Sequence, residues 1–167
     1  MNPPKQLSVK FLADEYCVDT ENKSMVSSAC NIPAKDYLTI LLLHYLIQKS
    51  GGIAALAGEW ATFKELAGIE GYESAFKKRV IGPIVRKYGK APDSLFQALD
   101  KFKGKAFPGA DIGIVLEVLA GVPALIQLWK SDEEFGPEAN VLFDANITKI
   151  FCTEDIIVLA EIIAHSL

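Results

Sequence analysis

The groups in this chain best suited to chemistry are two histidines, three cysteines and an unevenly spread set of carboxylates. His44 lies inside the apolar run Ile40–Ile47, where an imidazole can act as a ligand to a metal or corrinoid, or as a general base. Asp144 directly follows Phe143 at the end of a second apolar run, a position from which a carboxylate caps a neighbouring turn or binds a ligand. Glu59 and Trp60 adjoin in the tripeptide Gly58–Trp60, and an indole there suits stacking on a planar ligand at a pocket mouth. A pocket gathering His44, Glu59, Trp60 and Asp144 is the constellation from which a small enzyme can be built. Each residue also has a plainer account. His44 has no cysteine or carboxylate at ligand spacing on its own helix, which favours a hydrogen-bonded core histidine. Trp60 reads equally as a shield over a helix end. Cys17, Cys30 and Cys152 form no C-x-x-C pair, so no disulfide framework or four-cysteine metal site is written, and Cys30 and Cys152 read as small buried hydrophobes.

Charge is distributed in blocks. Between Tyr72 and Lys105 there are nine basic and three acidic residues, and from Ala106 onward ten acidic and two basic. Lys78, Arg79 and Arg86 fall close together on a helical segment and make a candidate face for an anionic ligand or acidic partner, the alternative being a solvated helix face. Asp132, Glu133, Glu134 and Glu138 crowd the stretch Ser131–Ala139. Hard cations take oxygen ligands, which makes Asp132 and Glu134 weak metal candidates, but the spacing matches no EF-hand and favours a solvated loop at a sheet edge. Net charge is −4, and no aromatic platform accompanies the basic residues, which argues against nucleic acid. No Walker loop, nucleophile elbow, dinucleotide fingerprint or zinc-protease motif is present, and no cofactor is specified.

The elements that must position these groups are legible in outline. Ala124–Trp129 places apolar groups on both faces of an extended segment, as a central strand does. Val141–Phe143 is a second strand, and Ile112–Leu119 a third, although its apolar run also fits a helix. A helix from about residue 34 to Lys49 is apolar nearly all round, which predicts burial. The spacing further predicts a short helix over Gln6–Asp14, two strands at Tyr16–Asp19 and Met25–Ser28, and a capping box at Thr62 and Glu65 before Phe63–Ala67. Tyr72–Tyr88 reads as a helix with Phe76, Val80 and Ile84 inward, flanked by Val85 and Tyr88, and with a kink or break near Val80 imposed by Pro83. Pro92–Phe102 reads as another, Gly104–Gly109 as a loop, and a last helix is capped by Thr153. The order points to an α+β fold: a mainly antiparallel sheet covered by helices, all in one domain, with residues 1–33 an N-terminal helix and hairpin. The longest apolar run is too short to span a bilayer and the N-terminus lacks a secretory core, so the expectation is a cytoplasmic protein without membrane insertion.

Leu41–Leu46 (LLLHYL), Gly58–Trp60 (GEW), the Tyr72/Phe76 spacing, Leu128–Phe135 (LWKSDEEF), Glu138–Ile147 (EANVLFDANI) and Thr153–Asp155 (TED) together resemble the domain of unknown function 3786 family. That resemblance covers about Ala34 to the C-terminus. It departs at Ser131, where a glycine is common, and at Gly136, where a proline is. It implies an anaerobic setting with links to corrinoid or iron–sulfur metabolism, although the cysteine-rich segment of some members is missing here, and it supplies no catalytic residues. The expected function is therefore a non-enzymatic ligand-binding or protein-interaction accessory, with a small molecule or protein as partner and oligomerisation open. The alternative is a small enzyme using His44, Glu59 and Asp144.

Overall fold

The computed structural model describes residues 6–66 and 68–167. Three strands open the chain: β1 (Gln6–Phe11), β2 (Asp14–Asp19) and β3 (Ser24–Ser27), an antiparallel sheet in that order. The helix expected over Gln6–Asp14 is thus a strand. Its apolar residues Leu7, Val9 and Phe11 recur every second position, and Val9 and Phe11 are buried, so the period of two prevails over the i, i+4 spacing of Leu7 and Phe11. The two strands expected after it are present. Beyond β3 the chain doubles back. Ser27 N–H donates to Ile32 C=O at 2.9 Å and Asn31, at φ +54°, donates to Ser27 C=O at 2.8 Å.

Helix α1 (Asp36–Ser50) follows. Only one side of it is buried. Leu38, Leu41, Leu42 and Tyr45 face inward, and the Tyr45 hydroxyl donates to Ala120 C=O at 2.8 Å. Tyr37, Ile40, Leu43 and Ile47 are 40–64% exposed, which corrects the expectation of burial all round. A helix apolar on every side carries no periodic signal of which side the fold covers.

Strand β4 (Trp60–Thr62) leads into a 3₁₀ turn at Phe63–Glu65, where the expected capping box is present and Glu65 Oε2 accepts Thr62 N–H at 2.7 Å. The turn is shorter than expected, since Leu66 is already extended; Ala67, the expected end, lies outside the described residues. Next come α2 (Glu73–Phe76), a π-turn at Lys77–Ile81 and α3 (Gly82–Tyr88), one continuous helical run. Phe76, Val80, Ile84 and Tyr88 are its buried stripe. The irregularity anticipated near Val80 is this widened turn, which accommodates a proline that lacks an N–H to donate. A 3₁₀ turn at Pro92–Phe96 passes into α4 (Gln97–Phe102). The stretch expected as a loop contains a two-residue strand, β5 (Lys105–Ala106), before β6 (Ile112–Leu119), β7 (Val122–Trp129) and β8 (Glu138–Asp144). Helix α5 (Thr153–Ser166) closes the chain.

The larger sheet has the order β4-β8-β7-β6-β5 with every pairing antiparallel, so β7 is central. Val122, Ala124, Leu125, Ile126 and Leu128 are all buried. The architecture is α+β, as the strand patterning predicts. Helix α5 contacts α1 and the 77–88 run, that run contacts β8, and the 92–102 segment contacts β6. Cys152, not Thr153, occupies the N-cap of α5. Thr153 lies inside the first turn and spends its hydroxyl on Gly68 C=O at 2.9 Å. Among the described residues no helix is long and apolar enough to cross a membrane.

Candidate functional site

The anticipated pocket residues have separate engagements. Asp144 ends β8 and is 6% exposed. Its Oδ1 accepts Ala57 N–H and Asn146 N–H, and its Oδ2 accepts Gly58 N–H, each at 2.9 Å. Burial pushes this carboxyl up, but the backbone N–H groups of Ala57, Asn146, Gly58 and Glu59 outweigh that effect and hold it below the usual carboxylate range. Asp144 is therefore an ionised latch on the 57–60 segment. Trp60 pairs with Asp144 across β4 and β8 and meets Phe107 edge to face at 6.0 Å between centroids. Glu59 is exposed, its carbonyl accepting Ala145 N–H at 2.9 Å. The structure brings Glu59, Trp60 and Asp144 together at one strand end.

His44 is elsewhere engaged. Its side chain is 47% exposed, and Nδ1 lies 2.8 Å from Asp155 Oδ2 on α5. It is hydrogen-bonded, as expected, but it is not a core histidine: it is partly exposed and lies at the edge of the contact between α1 and α5. Cys152 donates to the same Asp155 oxygen at 3.2 Å. Burial and the neighbouring Asp155 carboxylate push the Cys152 thiol up, so its thiolate is disfavoured. Both Cys30 and Cys152 are exposed. The expectation that they are buried hydrophobes fails because one sits in a tight turn and the other at a helix N-cap.

The charged candidates divide similarly. Arg79 is bonded to Glu161 of α5, which ties part of the basic block to the acidic one. Lys78 and Arg86 are exposed. In the acidic loop, Asp132 Oδ1 accepts the N–H groups of Glu134 and Phe135 at 2.9 and 2.7 Å, which closes the turn. Among the described residues no group of three or more His, Cys, Asp or Glu side chains is placed to hold a metal ion.

Sequence reasoning missed a cleft of about 640 Å³ where the N-terminal sheet meets the start of α1 and the ends of α4 and α5. Phe11, Leu12, Leu38, Phe102 and Ile162 give it an apolar floor, and Asp14, Tyr16, Ser27, Cys30, Lys35, Tyr37, Lys101 and His165 supply polar groups. The polar wall has an internal order. Asp14 begins β2, and its Oδ2 accepts the hydroxyl of the buried Ser27, the last residue of β3, at 2.7 Å. Ser27 Oγ accepts in turn from Cys30 N–H at 3.4 Å and Cys30 Sγ at 3.3 Å. The Tyr16 hydroxyl also bonds to Asp14, and burial first, then the charge of Asp14, pushes its pKa up. On the opposite side His165 Nδ1 lies 2.8 Å from Glu161 C=O. A carbonyl only accepts, so Nδ1 carries a proton and Nε2 is left free to meet a ligand. Chemically the arrangement can hold a small molecule by its apolar body and contact its polar end.

Over residues 1–166 the chain matches a family model described as a domain of unknown function, DUF3786. The match extends further toward the N-terminus than the residues that carry the sequence resemblance, and it takes in the three-stranded sheet that walls the cleft. No curated protein and no solved structure gives a significant match.

Proposed function

Because the chain belongs to the DUF3786 family, whose description names no activity, we propose from the geometry that it is a ligand-binding module whose ligand seats in the cleft between the N-terminal sheet and the ends of α4 and α5. The observation that carries this reading is the cleft itself. Its volume of about 640 Å³ falls within the ~300–1,000 Å³ of small-molecule sites, and like them it joins an apolar floor to a few polar groups. The enzyme alternative is weaker. A general base works best with a pKa near the working pH, whereas Asp144 is held low by backbone donors, and His44 lies apart from Glu59 and Asp144, paired with Asp155 of α5. A crystallographic fragment screen tests the proposal. Fragments should concentrate in this cleft, contacting Phe102 and Ile162; a screen whose hits all lie elsewhere, or that yields none, removes it.

One observation favours a second reading, contact with a protein. Tyr37, Ile40, His44 and Ile47 recur on the exposed side of α1 at the three- and four-residue spacing by which helices pack on each other. Lys35 and Lys49 flank this stripe, which suits a partner helix with acidic residues beside its apolar face. A synthetic helix of leucine and isoleucine flanked by glutamate should bind the protein, read by fluorescence anisotropy, and Ile40→Glu should abolish that binding. Absence of binding removes this reading, and self-association that Ile40→Glu dissolves would assign the surface to a second copy of the chain.

A further inference from the structure

The polar groups of the cleft point to the class of its ligand. Three side chains at its walls can carry positive charge, Lys35, Lys101 and His165, against one carboxylate, Asp14. That carboxylate is already used: Oδ2 accepts from Ser27 at 2.7 Å, Oδ1 accepts Glu15 N–H at 2.7 Å, and the Tyr16 hydroxyl adds a further donor. These neutral donors hold the carboxylate in place, and its one negative charge stands against two lysines in the lining.

The two lysines are differently placed. Lys35 Nζ lies 5.9 Å from the centroid of the Tyr37 ring, and Lys101 Nζ lies 4.7 Å from that of Phe102 while donating to Ser166 C=O at 2.5 Å. Among the described residues neither forms an ion pair with a carboxylate. Both ammonium groups thus sit beside aromatic rings on the walls of an apolar-floored cleft with their charge uncompensated, and each keeps protons to donate. Charge-assisted hydrogen bonds to an anion are the strongest contacts this lining can offer, and the apolar floor makes room for a short hydrocarbon or ring.

Resting on the reading of the cleft as a ligand site, we infer that it binds a small organic anion, a carboxylate or phosphate carried on an apolar body, with Lys35 and Lys101 holding the charged end and Phe102, Leu38 and Ile162 covering the rest. Carboxylate and phosphate share this chemistry and are distinguished in the test.

The test titrates the full chain with four probes of equal chain length: hexanoate, hexyl phosphate, hexanol and hexylammonium. Binding is read from the amide shifts of Cys30, Leu38 and Phe102 in ¹⁵N spectra. Hexanoate or hexyl phosphate should bind, the tighter of the two identifying the headgroup, and hexylammonium should not. Lys35→Met and Lys101→Met should each weaken the anion about tenfold or more, as loss of a charge-assisted contact does, while Lys101→Arg should keep most of the affinity. Unchanged amide spectra of the free variants establish that they are folded. Tighter binding of hexylammonium or hexanol than of either anion, or unaltered anion affinity in both methionine variants, overturns the inference while leaving the cleft as a ligand site. Failure of all four probes to move these amides overturns both.

Discussion

The hydroxyl of Ser27 donates to Oδ2 of Asp14 at 2.7 Å, linking the last residue of β3 to the first of β2 beneath the wall of the cleft. Ser27 is 4% exposed, so water does not replace it easily. Ser27→Ala is expected to cost about 1–3 kcal/mol, the usual penalty for stripping a buried polar group of its partner, as measured by urea denaturation. A loss below the lower figure would mean that Asp14 is satisfied without Ser27.

Tyr16 shares that network, and its hydroxyl ionises at higher pH than usual because of burial and the adjacent Asp14. A folded-state pKa above the unfolded value means stability that is fully present below the ordinary tyrosine pKa of about 10 and is lost as pH rises through the folded value. The alkaline limb of the stability profile should therefore flatten in Tyr16→Phe. Superimposable alkaline limbs in the two proteins would count against the assignment.

Asp144 gives the opposite pH dependence. Its folded-state pKa is depressed, net of burial, by the backbone donors of Ala57, Asn146, Gly58 and Glu59. The stability it contributes is present above the unfolded aspartate value of about 3.9 and is lost as pH falls through the folded value. Asp144→Asn should lower the denaturation midpoint at neutral pH and should narrow its gap to the parent protein as the solution is acidified. A constant gap across the acid range would show that the latch does not depend on charge.

The two sides of α1 should respond differently to substitution. Leu42 is fully buried, and Leu42→Ala is expected to cost about 2–5 kcal/mol. Ile47 is 64% exposed, and Ile47→Glu should change stability by no more than about 0.5 kcal/mol. Thermal melts of the two variants decide the point. A large loss from Ile47→Glu would place that side chain against a covering surface.

These contrasts mark how far the sequence could be read. The run Ala124–Trp129 announces a central strand because both faces are apolar, and β7 is central. Phe76, Val80, Ile84 and Tyr88 announce one helical face, and all four are buried. Leu7 and Phe11 fit either period, and only pairing with β2 decides for the strand. On α1 the apolar pattern is saturated, so periodicity could not say that Ile40 and Ile47 face outward. Asp144 is legible as a strand-end acceptor, whereas its partners Ala57 and Gly58, 87 and 86 residues away, are not. The cleft was hidden for the same reason: Asp14, Ser27, Lys35, Lys101 and His165 match no motif and meet only when the N-terminal sheet folds against the ends of α4 and α5.

Leu12, in the turn between β1 and β2, donates its N–H to Val118 C=O of β6 at 2.9 Å and so fastens the small sheet to the large one. One wall of the cleft belongs to the small sheet, and the facing wall includes the end of α4, which packs on β6 of the large one. Deuterium uptake at the Leu12 amide is consequently a gauge of aperture: when the cavity gapes that proton is released to solvent, and an occupant bridging both sides must slow its exchange.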